Sequence, residues 1–174
     1  MKINFLHIFF THTRLLIVLL VLVVINCKSQ ESTVKYSNYV GDIEYNSKTD
    51  NKNFMLCSTS HINQYFYGGK GLQYKGEKFE LDNFFFSLYE NKNITNESGL
   101  IRIQFIVNCY GETDRFRIIS MDFDYKEKEF DKRITSQLLS ITKNLKGWIP
   151  KKNIDYYQYL IFKIVNGNLI EIMP

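Results

Sequence analysis

Proline is nearly missing from this chain. Of 174 residues only Pro150 and Pro174 are proline, which excludes a stiff proline-rich spacer that would carry a domain far from its anchor. Histidine is scarce too, and His61 is the single one beyond residue 12. One histidine with a few cysteines cannot close a zinc site without carboxylate help, so no metal centre is expected. Charge of one sign is also lacking. The 22 basic and 18 acidic residues give +4, which falls to +2 when Lys2 and Arg14 leave with a leader, because 20 basic and 18 acidic residues remain. That balance excludes a broad nucleic-acid surface.

Catalytic patterns are equally thin. A phosphate loop needs Gly-Lys-Ser/Thr opening a helix, whereas Lys70 is followed by Gly71 and a strand-like run. Cys57 and His61 stand one helical turn apart, the minimum for a thiol–imidazole pair, but no helical signal surrounds them and no carboxylate is fixed beside them. Asp122, Asp124, Glu127 and Glu129 read as a solvated strand-to-helix turn. No catalytic residue and no cofactor is expected.

What the chain does have is apolar mass. With 45% hydrophobic residues, 14 Phe and 12 Tyr, it can fill a core, and wholesale disorder is excluded. The most distinct local signal is Leu15 to Ile25, an unbroken apolar run preceded by Lys2 and Arg14 and by no acidic residue. As a helix it would reach roughly 16 Å, about half of a hydrocarbon core near 30 Å. A secretory signal segment fits it better than a stable span.

Val24-Ile25-Asn26-Cys27 resembles a bacterial lipobox, in which a thiol directly follows a short apolar helix. It departs from the usual pattern at Asn26, where Gly or Ala is common, and at Val24, where Leu is common. The resemblance implies a signal peptide over 1–26, lipidation of Cys27, and a membrane contact through the N-terminal lipid. Residues 27–53 are polar and read as a tether. Folded structure is expected over 54–174 as a single domain.

Within that domain, Phe54 to Cys57 and two short strands about Gly68-Gly69-Lys70-Gly71 form a strand-rich extension. Spacings of three and four among Phe79, Asn83, Phe86 and Leu81, Phe85, Leu88 predict a helix over 79–89, with Phe84-Phe85-Phe86 in the core. In residues 100 to 108, Ile101, Ile103, Phe105 and Val107 alternate with Arg102, Gln104 and Asn108, a half-buried strand. Phe116 and Ile118 continue its partner across the Gly111 turn. Phe130, Ile134, Leu138, Ile141 and Leu145 define a helical stripe, with Gly147 as its C-cap and Pro150 as its stop. Leu160, Phe162 and Ile164 alternate again. Asn166-Gly167 is a strong hairpin signal, since both turn positions need positive φ, and it returns the chain through 169–173. The sum is α+β: a small antiparallel sheet with two helices packed on it.

Cys57 and Cys109 remain as an even pair in an exported chain, either a disulfide or two buried thiols.

The order of these features resembles the TonB C-terminal domain over residues 78–165: Gly99 opening a strand, Phe105-Ile106-Val107, the Gly111 turn, the following helix, Trp148-Ile149-Pro150 and Tyr159-Leu160-Ile161-Phe162. That resemblance implies a protein-interaction or accessory module of the cell envelope, exported and held by its lipid on the periplasmic side of a diderm bacterium. It implies that an envelope protein or peptide pairs by strand addition with the edge carrying Tyr157, Tyr159, Ile161 and Lys163. The returning strand after Gly167 would cover that edge. A short inner-membrane-anchored energy transducer that binds outer-membrane transporters is the alternative.

Overall fold

The computed structural model describes residues 43–58, 62–64 and 72–174. The leader, Cys27, His61 and most of the Tyr65–Tyr74 hairpin lie outside them. Among the described residues no helix is long and apolar enough to cross a membrane.

The alternating run at 100–108 forms strand β2 (Gly99–Val107), and its partner is β3 (Thr113–Met121). Between β3 and the next strand lies a helix at Lys132–Lys143. Strand β4 (Tyr156–Val165) then pairs antiparallel with β2 over nine positions, from Gly99↔Ile164 to Val107↔Tyr156. The chain turns through Asn166 and Gly167, with φ of 51° and 74°, into β5 (Asn168–Met173). Both turn residues occupy the left-handed region that a two-residue hairpin requires. A two-residue strand, β1 (Asn63–Gln64), runs parallel to the start of β4. The sheet is therefore mixed, with β4 and β2 central and β3 at one edge, and not purely antiparallel. The parallel pair escapes sequence reading because two residues carry no periodicity. Of the expected strand-rich extension, the described residues hold β1 and a single bridge between Tyr74 and Trp148.

Two helices, α1 (Glu77–Leu88) and α2 (Lys132–Lys143), supply side chains to one core with the sheet. Ile134, Leu138 and Ile141 of α2 meet Ile101, Ile103, Phe105 and Val107 of β2, and Leu81 and Phe85 of α1 meet the same cluster. Phe85 lies 4.8 Å from Phe162, ring centre to ring centre. Asp131 caps α2 by accepting a hydrogen bond from the Arg133 amide. That same Arg133, through its side chain first and its amide second, draws the Asp131 carboxyl down to about 2.

Three expectations about these elements are corrected. Only Phe85 of the Phe84-Phe85-Phe86 cluster is fully buried, while Phe86 and Phe79 face solvent. Successive helical residues turn by about 100°, so three adjacent rings cannot share one face. Gly147 is not the cap of α2, which ends at Lys143 with Asn144 in the cap position. Gly147 instead receives the face of Tyr74, and a Cβ there would sit 2.6 Å from that ring. Finally, the described part of the expected tether, 43–53, is fastened to the sheet. Ile43 joins Ile106 and Tyr157 in a second small cluster on the face away from the helices, with Phe54, Leu56 and Ile62 packed around them.

Candidate functional site

What fastens residues 43–53 is an ion pair built across 67 positions of sequence. The Arg117 guanidinium, on β3, donates from Nη1 to Asp50 Oδ1 (2.8 Å) and from Nη2 to Asp50 Oδ2 (2.7 Å), and Nη2 also reaches the Glu44 carbonyl. Arg117 alternates along β3 with Phe116 and Ile118, so it projects toward the face that the segment covers. Asp114 Oδ2 accepts the Asn51 amide, a second tie to β3. The Arg117 hydrogen bond holds the Asp50 carboxyl far below its ordinary 3.8. A carboxylate with a depressed folded-state pKa stabilises the fold fully above its unfolded value, and that contribution fades as pH falls below about 4. Arg117→Met is therefore expected to flatten the loss of stability between about pH 5 and pH 2, measured as urea midpoints, with a cost of about 2 kcal/mol at neutral pH. Parallel midpoint curves for variant and parent would contradict it.

The end of the sheet where β2, β3 and β4 meet their loops holds the cysteines. Cys57 and Cys109 are joined as a disulfide, with Cα atoms 5.9 Å apart. Beside it lies Asp155, fully buried immediately before β4. Its Oδ2 accepts the amides of Cys57 and Ser58, both at 2.7 Å, and its Oδ1 accepts the amide of Cys109 at 3.1 Å. One carboxylate thus receives backbone from both sides of the disulfide, and its own carbonyl accepts the Asn63 amide that starts β1. Asn108, also fully buried, completes the turn: its Oδ1 accepts the amides of Tyr110 and Glu112, and its Nδ2 donates to the Met55 carbonyl and to Glu112.

Sequence reasoning missed Asp155. The only signal was a carboxylate directly ahead of a strand, which is far more often solvated. The two sulfurs and the Asp155 carboxylate lie within 4.8 Å of one another, but sulfurs joined as a disulfide offer no thiolate to a metal, and the carboxylate is already taken up by amides. Nor is Cys57 a thiolate nucleophile in this state.

The residues expected at a strand-addition edge all lie on β4, and its outer side is occupied at both ends. Tyr157 pairs with Gln64 of β1, while Ile161 and Lys163 pair with Met173 and Glu171 of β5. Tyr159 lies on the sheet face away from the helices, where the Arg102 guanidinium lies 4.5 Å from its ring centre. The hairpin tip is braced by the loop after α1: Tyr89 donates its hydroxyl to the Gly167 carbonyl, Asn91 Nδ2 to the Asn166 carbonyl, and the Gly167 amide to the Glu97 carbonyl. Burial pushes the Tyr89 hydroxyl up to about 12, so it remains a donor at any physiological pH.

At the opposite edge, β3 is blunted. Arg115 departs from the strand with φ of 58°, Arg117 Nη1 covers the Phe116 carbonyl, and the turn after Met121 folds back so that the Lys128 amide reaches the Ser120 carbonyl. These are devices by which edge strands avoid unplanned pairing.

No protein-family model, no curated protein and no solved structure matches this chain. Among the described residues the fold is α+β, with a five-stranded mixed sheet and two helices.

Proposed function

We propose that the protein is a lipid-anchored cell-envelope interaction module with a TonB C-terminal-like domain. Cys27 carries the lipid, and the outer side of β4 is the docking edge for an extended segment of an envelope protein. The observation that supports this reading is the closing hairpin. β5 lies along β4 from Ile161 to Val165, the place a partner's peptide would take in strand addition. Among the described residues β5 pairs with β4 alone, so it can leave without breaking another strand pair.

Leaving has a cost that defines the partner. Leu169 and Ile172 of β5 are buried in the main core, each worth about 1.5–3 kcal/mol. An incoming segment must replace both, so the module selects β-forming segments with two apolar residues three apart.

A chain ending at Gly167 is expected to bind a synthetic 168–174 peptide added in trans, and to ignore the same peptide with Leu169→Ser and Ile172→Ser. Should that truncation unfold, full-length Ile172→Ala, whose tail is loosened, takes its place. A folded protein of either kind that leaves the peptide unbound refutes the docking edge. The anchor is tested separately by metabolic labelling with a radioactive fatty acid: label that persists in Cys27→Ser rules out lipidation at that residue.

A further inference from the structure

The disulfide end of the domain carries a surface that neither the β4 edge nor the anchor uses. Three loops converge there. Asn108 Nδ2 reaches the Met55 carbonyl at 3.1 Å. A Cβ on Gly111 would stand 2.8 Å from the Trp148 carbonyl oxygen, and the Tyr156 hydroxyl donates to the Ile149 carbonyl. From these loops Met55 (64% exposed), Tyr110 (67%), Ile149 and Ile154 present apolar side chains to solvent.

The charges around them are mostly positive. Lys143 and Lys146 line an open hollow of about 360 Å³ together with Tyr110, Gly111 and Asn53, and Lys152 is exposed beside Ile154. Of the carboxylates at this end, Asp155 is buried and Glu112 is exposed. Asp155 is saturated by amides, and Glu112, which also lines the hollow, accepts from Asn108 Nδ2 at 2.9 Å. The other exposed aromatic surface, on α1, differs in this respect. Phe79 and Phe86 lie on a helix that also carries Glu77, Glu80 and the paired Lys78 and Asp82, so its charge is net negative.

Exposed apolar and aromatic side chains flanked by more ammonium than carboxylate groups suit a boundary whose outer layer is anionic and whose inner layer is apolar. We infer that this end of the domain, through Tyr110, Ile149, Ile154 and Lys143, Lys146 and Lys152, docks on an anionic phospholipid surface. Lys143 and Lys146, at the rim of the hollow, meet headgroup phosphates, and the apolar side chains enter the acyl boundary. The contact is independent of lipidation at Cys27. It sets how the domain faces the bilayer, leaving the β4 hairpin tip at the far end of the strands from the membrane.

The test uses the full chain with Tyr110→Trp, reconstituted in vesicles that contain nitroxide-labelled lipid. The vesicles are either phosphatidylcholine alone or phosphatidylcholine with phosphatidylglycerol. The emission of buried Trp148, measured in the parent, is subtracted. Quenching of the residue-110 indole is expected on the anionic vesicles only and is reversed by high salt. Replacing Lys143, Lys146 and Lys152 by Gln is expected to weaken the contact by about a hundredfold, from roughly fivefold per lysine. A Phe79→Trp reporter is expected to stay unquenched on both vesicles. No quenching at residue 110, equal quenching on neutral vesicles, quenching that survives the triple substitution, or quenching at residue 79 instead would each overturn the proposal.

Discussion

Replacing Cys57 and Cys109 by Ala is expected to cost about 4 kcal/mol, because the bond closes a loop with a sequence separation of 52 and its loss restores that conformational freedom to the unfolded chain. For a domain of this size that is a fall in thermal midpoint of roughly 10–20 °C. The same loss should appear when the parent is treated with reductant, while reductant should leave the double variant unmoved. A reduced parent as stable as the oxidised one would mean that the disulfide contributes nothing beyond the contacts beside it. What loosens first is also expected to be specific. Residues 43–58 cover the small cluster of Ile43, Ile106 and Tyr157, so protection from hydrogen exchange should fall at Ile106 and Tyr157 before it falls at Ile103 or Leu160 in the main core.

Asp155→Ala is expected to cost a comparable 3–5 kcal/mol, from about 1–3 kcal/mol for each of three amides left without an acceptor, less what entering water restores. Asp155→Asn keeps one accepting oxygen and should lose roughly half as much. The two sites are coupled through the same backbone, since the amides of Cys57, Ser58 and Cys109 all end on this carboxylate. Combined with the cysteine double variant, Asp155→Ala should therefore cost measurably less than the sum, because a detached 55–58 segment no longer presents two of the three amides. Denaturant midpoints of the four proteins in the cycle measure this. Strict additivity would show that Asp155 and the disulfide hold separate parts of the fold.

These two effects also bear on the proposed contacts. The loops bearing Met55, Tyr110, Ile149 and Ile154 are held together by the disulfide, Asp155 and Asn108. The surface proposed to meet the membrane is thus an ordered one, and reduction should weaken it. The β4–β5 hairpin lies at the other end of the strands, braced by Tyr89, Asn91 and Glu97, and reduction should leave peptide exchange there largely unchanged. The two ends can therefore be probed apart.

Where a pattern is carried by neighbours in sequence, the chain alone determined the outcome. Ile101, Ile103, Phe105 and Val107 point one way because strand side chains alternate. Ile134, Leu138 and Ile141 share a helix face because turns recur every 3.6 residues. Asn166-Gly167 reverses the chain because both residues tolerate positive φ. Periodicity was less informative on α1, where the aromatic run suited more than one burial and only packing against Phe162 selected Phe85. Tertiary structure alone decided the rest. It brought Arg117 to Asp50 across 67 residues and set Asp155 beneath a disulfide formed from the ends of two different loops. It also laid β1 parallel to β4. None of these leaves a local trace, because each is an interaction between segments whose own sequences suit solvent equally well, and only the closing of the sheet removes that choice.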